Sequence, residues 1–169
     1  MRGQAGIIAV GLLLATPGSG WACEPCASEL NAEESMRAAD LIIVGQRIDY
    51  TPAEMQQWQR QEGPGVITVR ILNVVKGREG RQTITIHSWS AMCPYGIVVD
   101  DQPYVMLLER TAEKTSASDY GAVNDGCAVK TFHIDHESVE LVEIDGTRLS
   151  LMSLEEFRRY VTSLLTVEG

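Results

Sequence analysis

Apolar residues recur along the chain at spacings that predict a run of short strands. From Val66 to Lys76, Ile67, Val69, Ile71 and Val75 fall at a period of two, interrupted by Asn73, which predicts a strand with one buried face. Lys76-Gly77-Arg78-Glu79-Gly80 reads as a turn. Arg81 to Trp89 follows with Ile84 and Ile86 opposite Thr83, Thr85 and His87, so the two runs predict a hairpin. Leu41-Ile42-Ile43-Val44 opens another strand that runs toward Tyr50, and Gly45 inside it marks a bulge or a tight bend. Gln102 to Arg110 is a strongly apolar strand, and Tyr120 to Cys127 leads into a further one, Val129 to Ile134. Ser138 to Ile144 and Thr147 to Leu151 flank Asp145-Gly146, a two-residue hairpin signal.

Two segments carry helical signals instead. Asn31-Ala32-Glu33-Glu34 has the form of a capping box and starts a short helix from about Ala32 to Ala39. Ser153-Leu154-Glu155-Glu156 is a second capping box, and Leu154, Phe157, Val161, Leu164 and Leu165 follow it at helical spacing. Thr51 to Gly65 is polar and glutamine-rich and reads as a long loop, with one helical turn around Met55 to Trp58. Ser90 to Gly96 and Thr111 to Asp119 are also loops. Many short curved strands with no repeat and no linker predict a single mainly β domain, closed into a small barrel that removes sheet edges. Flanking helices and a C-terminal hairpin and helix complete it.

Composition narrows the class. The 169 residues include 14 Lys and Arg against 23 Asp and Glu, a formal charge of -9, and 44% are hydrophobic. That length suits one domain with a real core. An acidic chain without a basic run excludes a nucleic-acid partner. There is no Ser-His-Asp arrangement and no phosphate-binding glycine loop. Asp100-Asp101 reads as a solvated turn, so the expectation is a protein that is not an enzyme and takes no cofactor.

The first 22 residues predict export. Arg2 is a short positive region, Ala5 to Ala15 is an apolar core of 11 residues, and Gly20-Trp21-Ala22 places small residues at -3 and -1 of a cut before Cys23. A membrane span needs about 20 apolar residues, and no other stretch approaches that, so the mature chain is expected to lack a transmembrane segment. Cleavage after Ala22 leaves residues 23–169 as one domain, secreted or periplasmic. Removing Arg2 takes the charge from -9 to -10. Gly20 and Trp21 do not supply the Leu and small residue of a lipobox, so lipidation of Cys23 stays the lesser alternative.

In an oxidising compartment the four cysteines, Cys23, Cys26, Cys93 and Cys127, read as staples. Three pairings are open to them. Cys23-Glu24-Pro25-Cys26 superficially resembles a redox motif, but no core strand precedes it to present a low-pKa thiol at a helix N-terminus. Thiol-disulfide exchange is therefore a lesser alternative. Zinc would want a second close pair, and Cys93 and Cys127 stand alone. His133-Ile134-Asp135-His136 is the one histidine cluster, and on a strand or turn it faces solvent.

The order of features carries a resemblance. An exported cysteine pair is followed by a helix and by Ala39-Asp40-Leu41-Ile42-Ile43-Val44-Gly45. A strand ending Val74-Val75-Lys76-Gly77, a Cys after the next strand, Tyr104-Val105-Met106-Leu107-Leu108 and a later Cys complete it. The arrangement resembles the netrin-like module, the OB-type barrel of tissue inhibitors of metalloproteinases and their bacterial relatives. The resemblance covers roughly Cys23 to Phe132; the hairpin and helix from about Ser138 are an addition to it. It implies an OB-like five-stranded closed barrel with the pairs Cys23-Cys93 and Cys26-Cys127, closing spans of 70 and 101 residues. Bridges of that span each constrain the unfolded chain by about 4 kcal/mol in the loop-entropy model.

The resemblance also implies an activity. In those inhibitors the N-terminal amine and carbonyl chelate the catalytic zinc of a protease. Carried over, Cys23 supplies both groups, Glu24 points toward the specificity pocket, and Ser90, Ala91 and Met92 form the neighbouring wall. No metal of its own is implied. The chain departs from the inhibitors in having Cys-x-x-Cys where they have Cys-x-Cys, with Pro25 inserted, and in lacking their cysteine-rich second domain. The alternative is a cell-envelope or extracellular scaffold module with the cysteines as pure staples. Trp58, Trp89 and Tyr95 read as packing residues before they read as a contact surface.

Overall fold

A computed structural model describes residues 30–52, 65–88, 100–110, 118–123, 129–143 and 147–166. The elements run in the order α1 (Ala32–Ala38), β1 (Leu41–Pro52), β2 (Gly65–Lys76), β3 (Thr83–Ser88), β4 (Pro103–Arg110), β5 (Tyr120–Ala122), β6 (Thr131–Asp135), β7 (Ser138–Val142), β8 (Arg148–Ser153) and α2 (Leu154–Thr166). The fold is mainly β, as the apolar pattern predicts. Strands β1-β2-β3-β5-β4 form a barrel that closes through β1 against β4, from Leu41 opposite Leu108 to Gln46 opposite Pro103. All pairings in it are antiparallel except β3 with β5.

One edge of β4 is divided between two partners. Its C-terminal half, Leu108 to Arg110, pairs with β5, while Tyr104 to Met106 pair with β6. The sheet therefore leaves the barrel at that point and continues as β6-β7-β8, so the expected C-terminal hairpin is part of a three-stranded extension.

The unbroken apolar runs of β1 and β4 have a physical reason: both faces of these strands are buried. Leu41, Ile43, Met106 and Leu108 point into the barrel, where they meet Ile67, Val69, Ile84 and Ile86. Ile42, Val44, Val105 and Leu107 point the other way, against α1, α2, Phe132 and Val139. The rings of Phe132 and Phe157 meet edge to face at 5.8 Å and join the extension's helix to the strand beneath it.

Both capping boxes form. Asn31 Oδ1 accepts the Glu34 amide at 2.9 Å while Glu34 Oε2 accepts the Asn31 amide at 3.0 Å. Ser153 and Glu156 reciprocate in the same way at the head of α2. The far end of α1 is closed by Lys76, whose ammonium donates to the carbonyls of Met36 and Arg37 at 3.0 and 2.7 Å, where a cation offsets the helix dipole.

Three details differ from the sequence pattern. Strand β1 continues through Thr51 and Pro52, because Pro52 sits at the strand's end opposite Gly65, where a missing N–H costs little. Val75 does not share a face with Ile67, Val69 and Ile71. Register shifts against β1 change the strand's phase, so that Val74 packs against the barrel interior and Val75 against the outer core beneath the helices. In α2, Phe157, Val161 and Leu164 are buried but Leu165 is exposed, one position round the helix from the apolar stripe. Gly45 does fall at a register shift, as its place in the strand predicts. The helical turn expected at Met55 to Trp58 lies outside the described residues.

Candidate functional site

Cys23, Glu24, Cys26, Ser90, Ala91, Met92, Cys93 and Cys127 all lie outside the described residues, as do Trp58, Trp89 and Tyr95. The chain on either side of them is informative. Ser35, on α1, is a fully buried polar side chain. Its hydroxyl lies 2.6 Å from the Asn31 carbonyl and 3.2 Å from the Leu30 carbonyl, and it accepts the buried amide of Val129 at 3.1 Å. One oxygen thus joins the chain four residues after Cys26 to the chain two residues after Cys127. The Ala32 amide, donating to Glu143 Oε2 at 3.0 Å, ties the same end of α1 to the extension.

A polar notch of about 360 Å³ opens at the β2–β3 turn, lined by Arg78, Glu79, Arg81, Arg110, Asp119 and Tyr120. Gly77 allows the turn: its φ is +86°, and a Cβ there would stand 2.5 Å from the Asp40 carbonyl oxygen. The Arg81 guanidinium bridges Glu79 at 2.8 Å and Asp119 at 2.6 Å. Arg81 and the Tyr120 hydroxyl hold the Glu79 carboxyl down to about 2, and Glu79 in turn holds Arg81 firmly charged. Burial pushes Asp119 upward, but hydrogen bonds from Thr85 and Arg81 outweigh it and leave the group lowered. Arg81 and both carboxylates are committed to each other and to β3, so the cluster locks the turn onto β5.

The larger concavity is an open groove of about 820 Å³ between the barrel and its extension. The barrel contributes Val44, Leu72, Asn73, Gln102 and Pro103; the extension contributes Ile134 to Glu137 and Ser153 to Glu155. Leu72 is 49% exposed here: it follows the inward-facing Ile71, and a bulge in which Val44 pairs with Asn73 and Gly45 with Ile71 leaves it without a partner on β1. Ile48, 45% exposed, sits at a like shift between Arg47 and Asp49. The far wall is the tight β6–β7 turn, whose His136 and Glu137 adopt φ of 45° and 67°. Histidine reading and structure agree at this turn: His133 is exposed with its ring 5.4 Å from Tyr104, and His136 is almost fully exposed.

Among the described residues, no group of three or more His, Cys, Asp or Glu is placed to hold a metal ion, and no helix is long and apolar enough to cross a membrane. Sequence reasoning missed the groove, although Leu72 beside the polar Asn73 breaks the alternation of β2 and carries the signal.

Fold and concavities together define a small mainly β barrel protein with a helix-capped sheet extension. No protein-family model matches the chain, and no curated protein matches it at a significant level.

Proposed function

We propose that this chain is an exported, disulfide-stapled protein-binding domain of netrin-like type that inhibits zinc metalloproteases through the main-chain amine and carbonyl of Cys23. The observation that carries the reading is the Ser35 hydroxyl, which holds Leu30 and Val129 within one hydrogen bond of the same atom. Leu30 follows Cys26 by four residues and Val129 follows Cys127 by two, and this closeness in sequence supports the Cys26-Cys127 bridge. The closed five-stranded barrel supports the same reading, because it is the architecture that the resemblance implies.

The chemistry follows from the terminus. An α-amine has a pKa of about 7.7–8.0, so zinc displaces its proton near neutral pH. A Cys23-Cys93 bridge holds that amine rigid and reduces the entropy lost on binding. The test is titration of the mature protein against a panel of zinc metalloproteases, before and after acetylation of the α-amine. Stoichiometric inhibition that acetylation abolishes is expected. A second reading, a scaffold module that inhibits nothing, is favoured by the barrel–extension groove, whose lining shares no residue with the Ser35 junction. Absence of inhibition across the panel selects it.

A further inference from the structure

We propose that the groove between barrel and extension is a docking site for a cationic peptide segment with an apolar anchor residue, on a surface independent of the amino-terminal reading. Two features of the lining determine that chemistry. Its floor is apolar, with Val44, Pro103, Ile134 and Leu154 around the outward-turned Leu72. Its rim carries Asp135, Glu137 and Glu155, and no Lys or Arg among the described residues lines it. The Glu137 and Glu155 carboxylates form no ion pair among the described residues; Asp135 faces only His136, at 3.5 Å. The Arg158 guanidinium donates to the side-chain Oδ1 of Asn73, which lines the groove. A leucine-sized side chain seated on Leu72 removes apolar surface from water, and flanking arginines meet the rim carboxylates, of which Glu137 and Glu155 have no ion pair among the described residues.

Leu72 follows the inward-facing Ile71 and so falls on the outer face of β2. The bulge leaves it without a partner on β1 and aligns Val44 with Asn73, so the unmatched leucine and part of the groove's floor meet at one register shift. The extension supplies the carboxylates, which gives the hairpin and helix beyond the barrel a role in recognition.

The probe is a labelled, end-capped Arg-Arg-Leu-Arg-Arg peptide, followed by fluorescence anisotropy at moderate salt with the full mature protein. Exposed charge pairs contribute modestly, so Glu137→Gln with Glu155→Gln should weaken binding about five-fold, while the equally charge-reducing remote pair Asp49→Asn with Glu109→Gln should leave it nearly unchanged. Leu72→Ser should weaken the leucine peptide and not its Arg-Arg-Gly-Arg-Arg counterpart. Thermal melts of each variant check folding; Leu72, Glu137, Glu155 and Asp49 are exposed, and Glu109 is half-buried. Equal losses from both charge pairs, equal binding of Glu-Glu-Leu-Glu-Glu, or no binding of the probe would each overturn the proposal. So would a concentration-dependent dimer that Leu72→Ser dissociates, since the groove would then belong to a second copy of this chain.

Discussion

The Ser35 hydroxyl accepts the Val129 amide at 3.1 Å while facing the Leu30 carbonyl at 3.2 Å, in a place with no solvent access. A buried amide deprived of its acceptor loses the full cost of its desolvation. Ser35→Ala should therefore destabilise the protein by about 1–3 kcal/mol, even though alanine is the better helix former. Urea unfolding of the two proteins measures this. A neutral or stabilising result would mean that the junction between α1 and the chain at Val129 is not under load.

Gly45 allows β1 to curl against β2. A Cβ at this position would stand 2.5 Å from Val69 Cγ1, 3.1 Å from Ile43 Cδ1 and 3.3 Å from Met106 Sδ. Val69 is β-branched and fully buried, so it has no free rotamer to yield. Gly45→Ala should cost about 1–3 kcal/mol through overpacking, with larger side chains costing more. Thermal melts of an alanine and a valine variant would check the order.

Acid should find the Glu79–Arg81–Asp119 cluster. Glu79 is held at about 2 in the folded protein, below its ordinary 4.5, so the unfolded chain binds the proton more readily. Its contribution to stability is present above about 4.5 and is lost as pH falls toward 2. Stability measured across that window should fall for the parent and fall less steeply for Glu79→Gln, which starts lower at pH 7. Parallel curves for the two proteins would contradict the assignment.

How far the fold could be read from the chain depends on the range of the interaction. Both capping boxes, the apolar strands at Leu41–Val44 and within Gln102–Arg110, and the β7–β8 hairpin are local signals, and they were legible; that both faces of those two strands are buried was not. The closure of β1 on β4 was foreseen only as a consequence of many short strands; no local pattern pairs Leu41 with Leu108. Val75 and Leu72 were misread or missed because a bulge changes the phase of a period-two pattern, and the partner strand decides where the bulge falls. Ser35 looked like any polar residue on a helix of good helix formers. Its burial depends on Val129, 94 positions away.

The central claim is that an exported chain begins at Cys23 and is stapled by Cys23-Cys93 and Cys26-Cys127. Mass-spectrometric mapping of the exported protein, digested without reduction, tests it in one experiment. The account predicts an unmodified α-amine on Cys23, the loss of one hydrogen per cysteine, and cross-linked peptides joining Cys23 to Cys93 and Cys26 to Cys127. A retained leader, an acylated Cys23, free thiols, or a local Cys23-Cys26 bridge would contradict it.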